Sequence, residues 1–208
     1  MDPTAAEIRV LGALVEKQRT TPDQYPLTLN ALRLACNQST NRDPVVDYDD
    51  ATIRDALARL RQRGWARYAS GPGSRAAKYR HLFDDALGLR PDEVAVLTVL
   101  MLRGPQTPGE LKTRTERMHG FGGLGELEDT LQRLIERELV RRIGRRPGQK
   151  EDRYEQLLGG GEEEPAAAGA EPAGPVDDLE QRVADLEAAV AELRDRVAGL
   201  AGRAAPER

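Results

Sequence analysis

Hydrophobic positions in residues 1–158 recur in a pattern that predicts helices followed by strands, twice over. A capping box at residues 4–7 opens the first helix, and its apolar positions recur at the three- and four-residue spacing of one buried helix face. Gly64 ends the third helix. The elements predicted after the first helix are helices at Leu29–Cys36 and 50–63, a strand at 65–69, a turn at 71–74 and a strand at 77–83.

The second set of elements repeats this order. Its first helix is predicted over Pro91–Arg103, with a proline in the first turn. A second capping box, at residues 107–110, opens the next helix. A third helix over 124–137 and a hairpin over 139–158 that turns at Pro147 complete the set.

The two sets also match residue by residue. Glu7-Ile-Arg-Val-Leu aligns with Glu93-Val-Ala-Val-Leu at an offset of 86, and later matches fall at about 75. The first copy is therefore expected to carry roughly 11 extra residues between its second and third elements. Three helices and a β-hairpin are the order of a winged-helix domain. We predict an α+β, mainly α fold with two tandem winged-helix domains, at 1–86 and 87–158.

The remaining residues have a different pattern. Gly, Pro, Ala and Glu dominate residues 159–175, which is typical of a disordered linker. Residues 176–202 then alternate Val and Leu at heptad spacing, the pattern of a two-stranded parallel coiled coil. The alternative is an amphipathic helix that folds back onto the body. The residues predicted to dimerise the chain are Val176, Leu179, Val183, Leu186, Val190, Leu193, Val197 and Leu200.

Charge is distributed unevenly along the chain. The whole chain has a net charge of −4, but residues 159–208 hold 12 acids and 5 bases. The body, residues 1–158, therefore holds 23 acids and 26 bases, a net charge of +3. Within it, residues 59–81 contain seven Arg or Lys and no acid, and residues 141–153 contain six bases and two acids. Both segments flank predicted hairpin turns, which favours anion contact over ordinary solvated surface charge.

Three sequence blocks resemble the YceH-like family of uncharacterised bacterial proteins. They are VLGALVEKQRTTPDQYPLTLNALRLACNQSTNRDPV at residues 10–45, SRAAKYRH at 74–81 and RGPQTPGELKTR at 103–114. The resemblance covers about residues 1–158 and implies a tandem winged-helix fold. It implies no catalytic residue set.

A loop dense in amides and hydroxyls, Asn37-Gln-Ser-Thr-Asn-Arg-Asp43, lies within the first block. One interpretation is recognition, because Asn and Gln side chains can pair with adenine. The other is a self-bonded loop of caps and Asx-turns that closes the second helix. The candidate residues of this family-motif loop are Asn37, Gln38, Asn41 and Arg42.

Carboxylates crowd the starts of both third helices, at residues 49–55 and 125–129. They suit the helix dipole but repel phosphates, which argues against base reading by these helices. The hairpins are the better candidates, because their cations can contact the DNA backbone without reading sequence. The candidate nucleic-acid-binding residues are Arg67, Arg75, Lys78, Arg80, Arg145, Arg146 and Lys150.

Other functional classes have little support in the sequence. The chain has one Cys and two His, so no metal site is expected, and Cys36 lies on an apolar helix stripe that indicates packing. No phosphate-binding loop, nucleophile elbow or other catalytic motif is present, so we expect no enzyme activity and no cofactor. The N-terminus lacks the pattern of a signal peptide, and no apolar run is long enough for a membrane span, so we expect a cytoplasmic protein without membrane association.

Two functions remain as expectations. The first is a transcription-regulator-like dimer that contacts double-stranded DNA through basic wings. The second is a protein-interaction scaffold of the chromosome-condensation accessory type, with other proteins as partners and no direct DNA binding. Fold alone does not separate the two. The basic hairpins favour the first, and the acidic third helices favour the second.

Overall fold

Two long helices, one from each copy of the repeat, lie at the centre of the protein. The computed structural model describes residues 2–69, 77–144 and 151–159, which all belong to one compact unit. These residues form a mixed α+β, mainly helical structure. Its helices are α1 Ala5–Thr20, α2 Leu29–Cys36, α3 Asp50–Gln62, α4 Phe83–Leu87, α5 Pro91–Arg103, α6 Pro108–Thr115 and α7 Leu124–Glu136. Its strands are β1 Leu27–Thr28, β2 Ala66–Tyr68, β3 Lys78–His81, β4 Val140–Ile143 and β5 Arg153–Gln156.

The first half runs from α1 to β3. Thr4 caps α1 by accepting a hydrogen bond from the Glu7 backbone N–H, as the sequence predicts. Strands β1, β3 and β2 form an antiparallel sheet in that order, with Leu27 opposite Tyr79 and Arg67 opposite Arg80. The buried faces of α2 and α3 pack against α1, and Leu32, Ile53 and Leu60 among them are fully buried.

The second half runs from α5 to β5 and repeats this plan with a smaller sheet. Strands β4 and β5 pair antiparallel, with Arg141 opposite Glu155. A single bridge between Gln106 and Tyr154 takes the place that β1 has in the first half. Thr107 and Glu110 form the predicted capping box at the start of α6.

A buried carboxylate joins the first and third helices of each half. Glu7 on α1 is 1% exposed and pairs with Arg63 at 3.2 Å and Arg59 at 3.6 Å on α3. Glu93 on α5 is 2% exposed and pairs with two α7 arginines, Arg137 at 3.0 Å and Arg133 at 3.6 Å. The matched positions in the repeat therefore carry the same ion cluster.

Helices α1 and α5 pack against each other and join the halves. Nine consecutive α1 residues, 7–15, and eleven consecutive α5 residues, 92–102, are buried, so each helix is enclosed on all sides. A Cβ atom added at Gly12 would lie only 2.9 Å from the Leu102 side chain and 3.2 Å from Met101 Cβ. The absence of a side chain at Gly12 thus permits the close approach, and one continuous hydrophobic core includes residues of both halves.

The structure corrects several predictions of the elements. The second-helix starts, Leu29 and Pro108, differ by 79 in number, and the third-helix starts, Asp50 and Leu124, differ by 74. Seven of the extra residues of the first half therefore precede α2, and five lie between α2 and α3. The prediction that placed them all after the second helix is wrong, because the region before α2 holds a 3-10 helix at Pro22–Gln24 and strand β1.

The end of the first hairpin also differs from its prediction. The strand predicted over 77–83 stops at His81, and Phe83 begins the short helix α4, which ends at Gly88 in a left-handed conformation. Among the described residues, no helix has the length and hydrophobicity needed to cross a bilayer. The predicted coiled coil at 176–202 and its eight dimerisation residues lie outside the described residues, as does the predicted linker apart from Gly159.

Candidate nucleic-acid interface

The first hairpin presents a group of cations on one side of its sheet. Strand alternation places Arg67, Lys78 and Arg80 on the face opposite to the buried Ala66 and His81. Arg67 and Lys78 are exposed, and Arg80 is half-buried. The structure thus brings together the three predicted contact residues of this hairpin that it describes.

Arg67 and Arg80 lie directly opposite each other in the β2–β3 register. Like charges in this arrangement destabilise a sheet unless an anion offsets them. Neither side chain forms an ion pair with any part of the protein at residues 2–69, 77–144 or 151–159. The Arg80 Nε is also buried without a hydrogen-bond partner there. The pair therefore offers two guanidinium groups to an external anion.

An exposed aromatic residue, Tyr68, lies on the other face of this sheet, toward α3. Tyr68 is 50% exposed and stacks against Tyr79, with ring centroids 5.1 Å apart. The Arg61 guanidinium lies over the Tyr68 ring at 3.9 Å from its centroid, a cation–π geometry that fixes both side chains. Sequence reasoning did not select Arg61 or Tyr68, although both lie in the acid-free run of residues 59–81. We call Arg67, Lys78 and Arg80, which share the opposite face of the sheet, the basic hairpin surface.

The second hairpin has a different charge arrangement. Arg141 pairs with Glu155 across the strands, and Arg142 pairs with Asp152. Arg153 approaches Glu110 of α6 at 3.6 Å. Every arginine of β4 and β5 therefore has a carboxylate neighbour that offsets its charge. The predicted residues Arg145, Arg146 and Lys150 lie outside the described residues, as does Arg75 of the first hairpin.

The third helices present the carboxylates that the sequence predicts. On α7 the exposed side chains include Glu126, Glu128, Asp129 and Glu136. On α3, Asp50 accepts ion pairs from Arg33 at 3.0 Å and from Arg54 at 3.2 Å, which neutralises part of that face. The α7 surface would repel a phosphate backbone, whereas the α3 surface is mixed.

The family-motif loop is held together by Arg42. Its side chain has no exposed area and makes a two-pronged ion pair with Glu16, with N–O distances of 2.6 and 3.1 Å. It also donates to the Ala35 carbonyl at 2.8 Å and to the Gln38 side chain at 2.8 Å. Arg42 thus binds the end of α2 and the loop to α1.

The other amides of this loop are also engaged. The Asn37 side chain donates to the Tyr48 carbonyl at 2.8 Å and accepts from the Tyr48 N–H at 3.0 Å. Asn41 accepts a hydrogen bond from Arg103 of α5. These contacts favour the self-bonded interpretation of the loop over base recognition.

Two further polar groups in the interior of the first half, those of Cys36 and Arg9, pack or hydrogen-bond within the fold. Burial raises the pKa of the Cys36 thiol to about 12, so this group is neutral and packs in the core. Burial lowers the pKa of Arg9, which donates to the Pro44 carbonyl at 2.7 Å. In the part of the chain that the structure describes, no three His, Cys, Asp or Glu side chains converge as metal ligands.

Comparison with known proteins identifies relatives along most of the chain. Residues 4–149 match the family described as "Protein of unknown function, DUF480". A UPF0502 protein of Geobacter metallireducens is 50% identical over 181 residues, which cover 86% of this chain and 81% of the relative. One from Opitutus terrae is 51% identical over 184 residues, covering 86% and 80%, and one from Pelobacter propionicus is 54% identical over 156 residues, covering 74% and 71%. The family match includes all helices of both halves.

Proposed function

The chain belongs to the DUF480 family of proteins of unknown function, and from that premise we propose that it is a non-enzymatic protein that binds double-stranded DNA. The first hairpin contacts the sugar–phosphate backbone in this proposal, and the contact depends weakly on base sequence. Each half is a winged-helix domain, and the eight Val and Leu positions of the tail form a dimeric coiled coil. The protein acts in the cytoplasm.

The element order supports the winged-helix part of the proposal. The first half has three helices, a short strand between the first two, and a β-hairpin that completes a sheet of order β1-β3-β2. The second half has the same order with β1 reduced to one bridge. In winged-helix proteins the hairpin is the wing, which lies beside the helix-turn-helix and reaches phosphates.

The observation that carries the DNA proposal is the facing pair Arg67 and Arg80. Guanidinium groups bind phosphate oxygens with two parallel hydrogen bonds, and exposed bases on a hairpin gain affinity by releasing counterions from DNA. The acidic starts of the third helices support backbone contact rather than base reading.

A second candidate function is a protein-interaction scaffold. Its support is the acidic, exposed face of α7 together with Leu124, which is 48% exposed at the start of that helix. Such a face suits a basic protein partner. This function is the alternative to DNA contact by the first half and involves no direct DNA binding.

The test is a fluorescence anisotropy titration of the full chain on a short duplex at two salt concentrations. The paired substitution Arg67→Gln and Arg80→Gln should weaken binding about tenfold at low salt and reduce the log–log salt slope by about 2. The loss should be similar on duplexes of unrelated sequence, because phosphates carry no sequence information.

The matched control removes the same charge from the second hairpin. The double substitution Arg141→Gln and Arg142→Gln should change the affinity for the duplex by less than about twofold, because both arginines are already paired with carboxylates. Equal losses in the two double variants would contradict the assignment to the first hairpin. Absence of salt-dependent binding to any duplex would remove the DNA proposal and leave the scaffold.

A further inference from the structure

A cleft lies between the two halves, on the side where the family-motif loop meets α5 and α6. It has a volume of about 540 Å³ and is lined by the end of α1, the loop, the end of α5 and the end of α6. Pockets for small molecules commonly have volumes of about 300–1,000 Å³. None of its lining residues belongs to the basic hairpin surface.

The cleft has a strong excess of positive charge. Lys17, Arg103, Arg114 and Arg117 line it, and the acid of its lining, Glu16, is held by the two-pronged pair with Arg42 and lies 3.6 Å from Lys17. Arg117 is exposed and has no ion pair within the described segments of the chain. Two of the three sequence blocks that carry the family resemblance, residues 10–45 and 103–114, therefore meet at a cluster of cations.

The arginines of the cleft are close enough to oppose each other's charge. Burial and the neighbouring guanidinium groups of Arg114 and Arg42 lower the pKa of Arg103. Arg103 is oriented by its hydrogen bond to Asn41, and Arg114 by its ion pair with Glu110 at 3.5 Å. These fixed positions concentrate positive potential inside a concave surface, which attracts anions.

The rest of the lining suits an organic phosphate rather than a bare ion. Hydroxyl and amide groups, including Thr40 and Gln38, can donate to phosphate oxygens. Val99, Leu102 and Met118 supply an apolar wall. Pockets that orient a ligand with a few polar groups against apolar side chains are typical of small-molecule sites.

We propose that this cleft binds a phosphorylated small molecule, with Lys17, Arg103 and Arg117 contacting its phosphate groups and the apolar wall contacting its organic part. The bound molecule bridges α1 and the loop of the first half to α5 and α6 of the second half. It therefore stabilises the packing of the two halves, because ligand that binds only the folded state shifts the unfolding equilibrium. This inference does not depend on DNA binding.

The experiment is isothermal titration of the full chain with inorganic pyrophosphate at constant ionic strength. Wild-type protein should show saturable binding with a Kd below about 1 mM. Arg117→Gln and, separately, Lys17→Gln should each weaken it about tenfold, the loss expected for one charge-assisted contact. Arg117→Gln changes an exposed side chain, whereas Lys17→Gln also removes an ion pair with Glu16, so thermal melts of both variants without ligand verify that they fold.

The matched control is Arg67→Gln, an exposed arginine outside the cleft, which should leave pyrophosphate affinity within about twofold. Binding weaker than about 1 mM, an unchanged affinity in both cleft variants, or an equal loss in Arg67→Gln would overturn the proposal. Duplex binding by Arg117→Gln separates the two sources of phosphate. It should equal that of the wild type, and a loss as large as that of Arg67→Gln would place the cleft in the DNA interface instead.

Discussion

The two halves of the protein share an internal frame and differ in their surfaces. In both, a buried glutamate of the first helix holds two arginines one turn apart on the third helix. Among the residues that the structure describes, Arg67 and Arg80 of the first hairpin face each other without a carboxylate partner, whereas Arg141 and Arg142 of the second are paired with acids. The two halves thus share the ion cluster that joins their first and third helices, and they differ in the charge arrangement of their hairpins.

A second difference lies in the connection between the second and third helices. Only the first half contains the loop built around Arg42, and this loop also contacts the second half, since Asp43 N–H donates to the Leu102 carbonyl at 2.9 Å. The added residues therefore connect the halves. The first half therefore supplies both the cationic hairpin and the loop that lines one side of the cleft.

The largest expected effect is the loss of stability when Arg42, which has no counterpart in the second half, is substituted. Arg42→Met should lower the free energy of unfolding by about 3–5 kcal/mol, because it removes the two-pronged partner of Glu16 and the buried donor to the Ala35 carbonyl, and leaves Glu16 with Lys17 at 3.6 Å. Denaturant unfolding of the full chain measures this loss. Arg54→Met, which breaks an exposed pair with Asp50, is the control and should cost below about 1 kcal/mol. Similar costs in the two variants would show that the loop contributes no special stability.

The shared frame predicts an intermediate effect that is equal in the two halves. Glu7→Gln and Glu93→Gln should each lower the free energy of unfolding by about 1–2 kcal/mol, a range reduced because the arginine partners are partly exposed. The same denaturation experiment compares them. A difference above roughly 1 kcal/mol between the two variants would show that the matched ion clusters are not energetically equivalent.

The smallest expected effect is the pH dependence of stability contributed by one histidine of the first hairpin. His81, opposite Ala66, occupies the register position that Gln156, opposite Val140, has in the second half. Burial lowers the pKa of His81 to about 4, although Asp84 at 3.5 Å opposes the shift. The unfolded chain therefore takes up the proton first, and stability is lost as pH falls from about 6.5 toward 4.

Between pH 7 and pH 5.5 this histidine should cost about 1 kcal/mol of unfolding free energy. His81→Gln, which copies the second half, should flatten that part of the stability profile, and thermal melts at several pH values measure the slope. A profile as steep as that of the wild type would assign the acid sensitivity to other groups.

Much of the helical architecture could be predicted from the sequence. The bounds of α2 and α5 match their predictions, because capping hydroxyls, an N-terminal proline and apolar periodicity are local signals. The family resemblance that three sequence blocks predicted is confirmed by the DUF480 match and by relatives near 50% identity. Strand β1 escaped prediction because two residues carry no periodicity, and their pairing with Lys78 and Tyr79 is a long-range property.

The candidate site could be predicted only in part. Arg67, Lys78 and Arg80 could be selected from the sequence because they are cations on a predicted hairpin in an acid-free run. The contact between Arg61 and Tyr68, on the other face of the sheet, could not, because it depends on how α3 meets β2. The cleft was missed for a similar reason, since Lys17 and Arg117 are 100 positions apart in the sequence. In a single sequence nothing shows that such distant cations converge.

The packing of α1 on α5 through Gly12 has a consequence for synthesis. Helix α1 is made early, yet one of its faces has no partner until α5 has left the ribosome, so the nascent first half cannot complete its apolar contacts alone. Backbone amides in the middle of both helices should consequently exchange with solvent only when the whole body opens. Although the sequence divides into two copies of a repeat, the two halves are therefore expected to fold together as one cooperative unit.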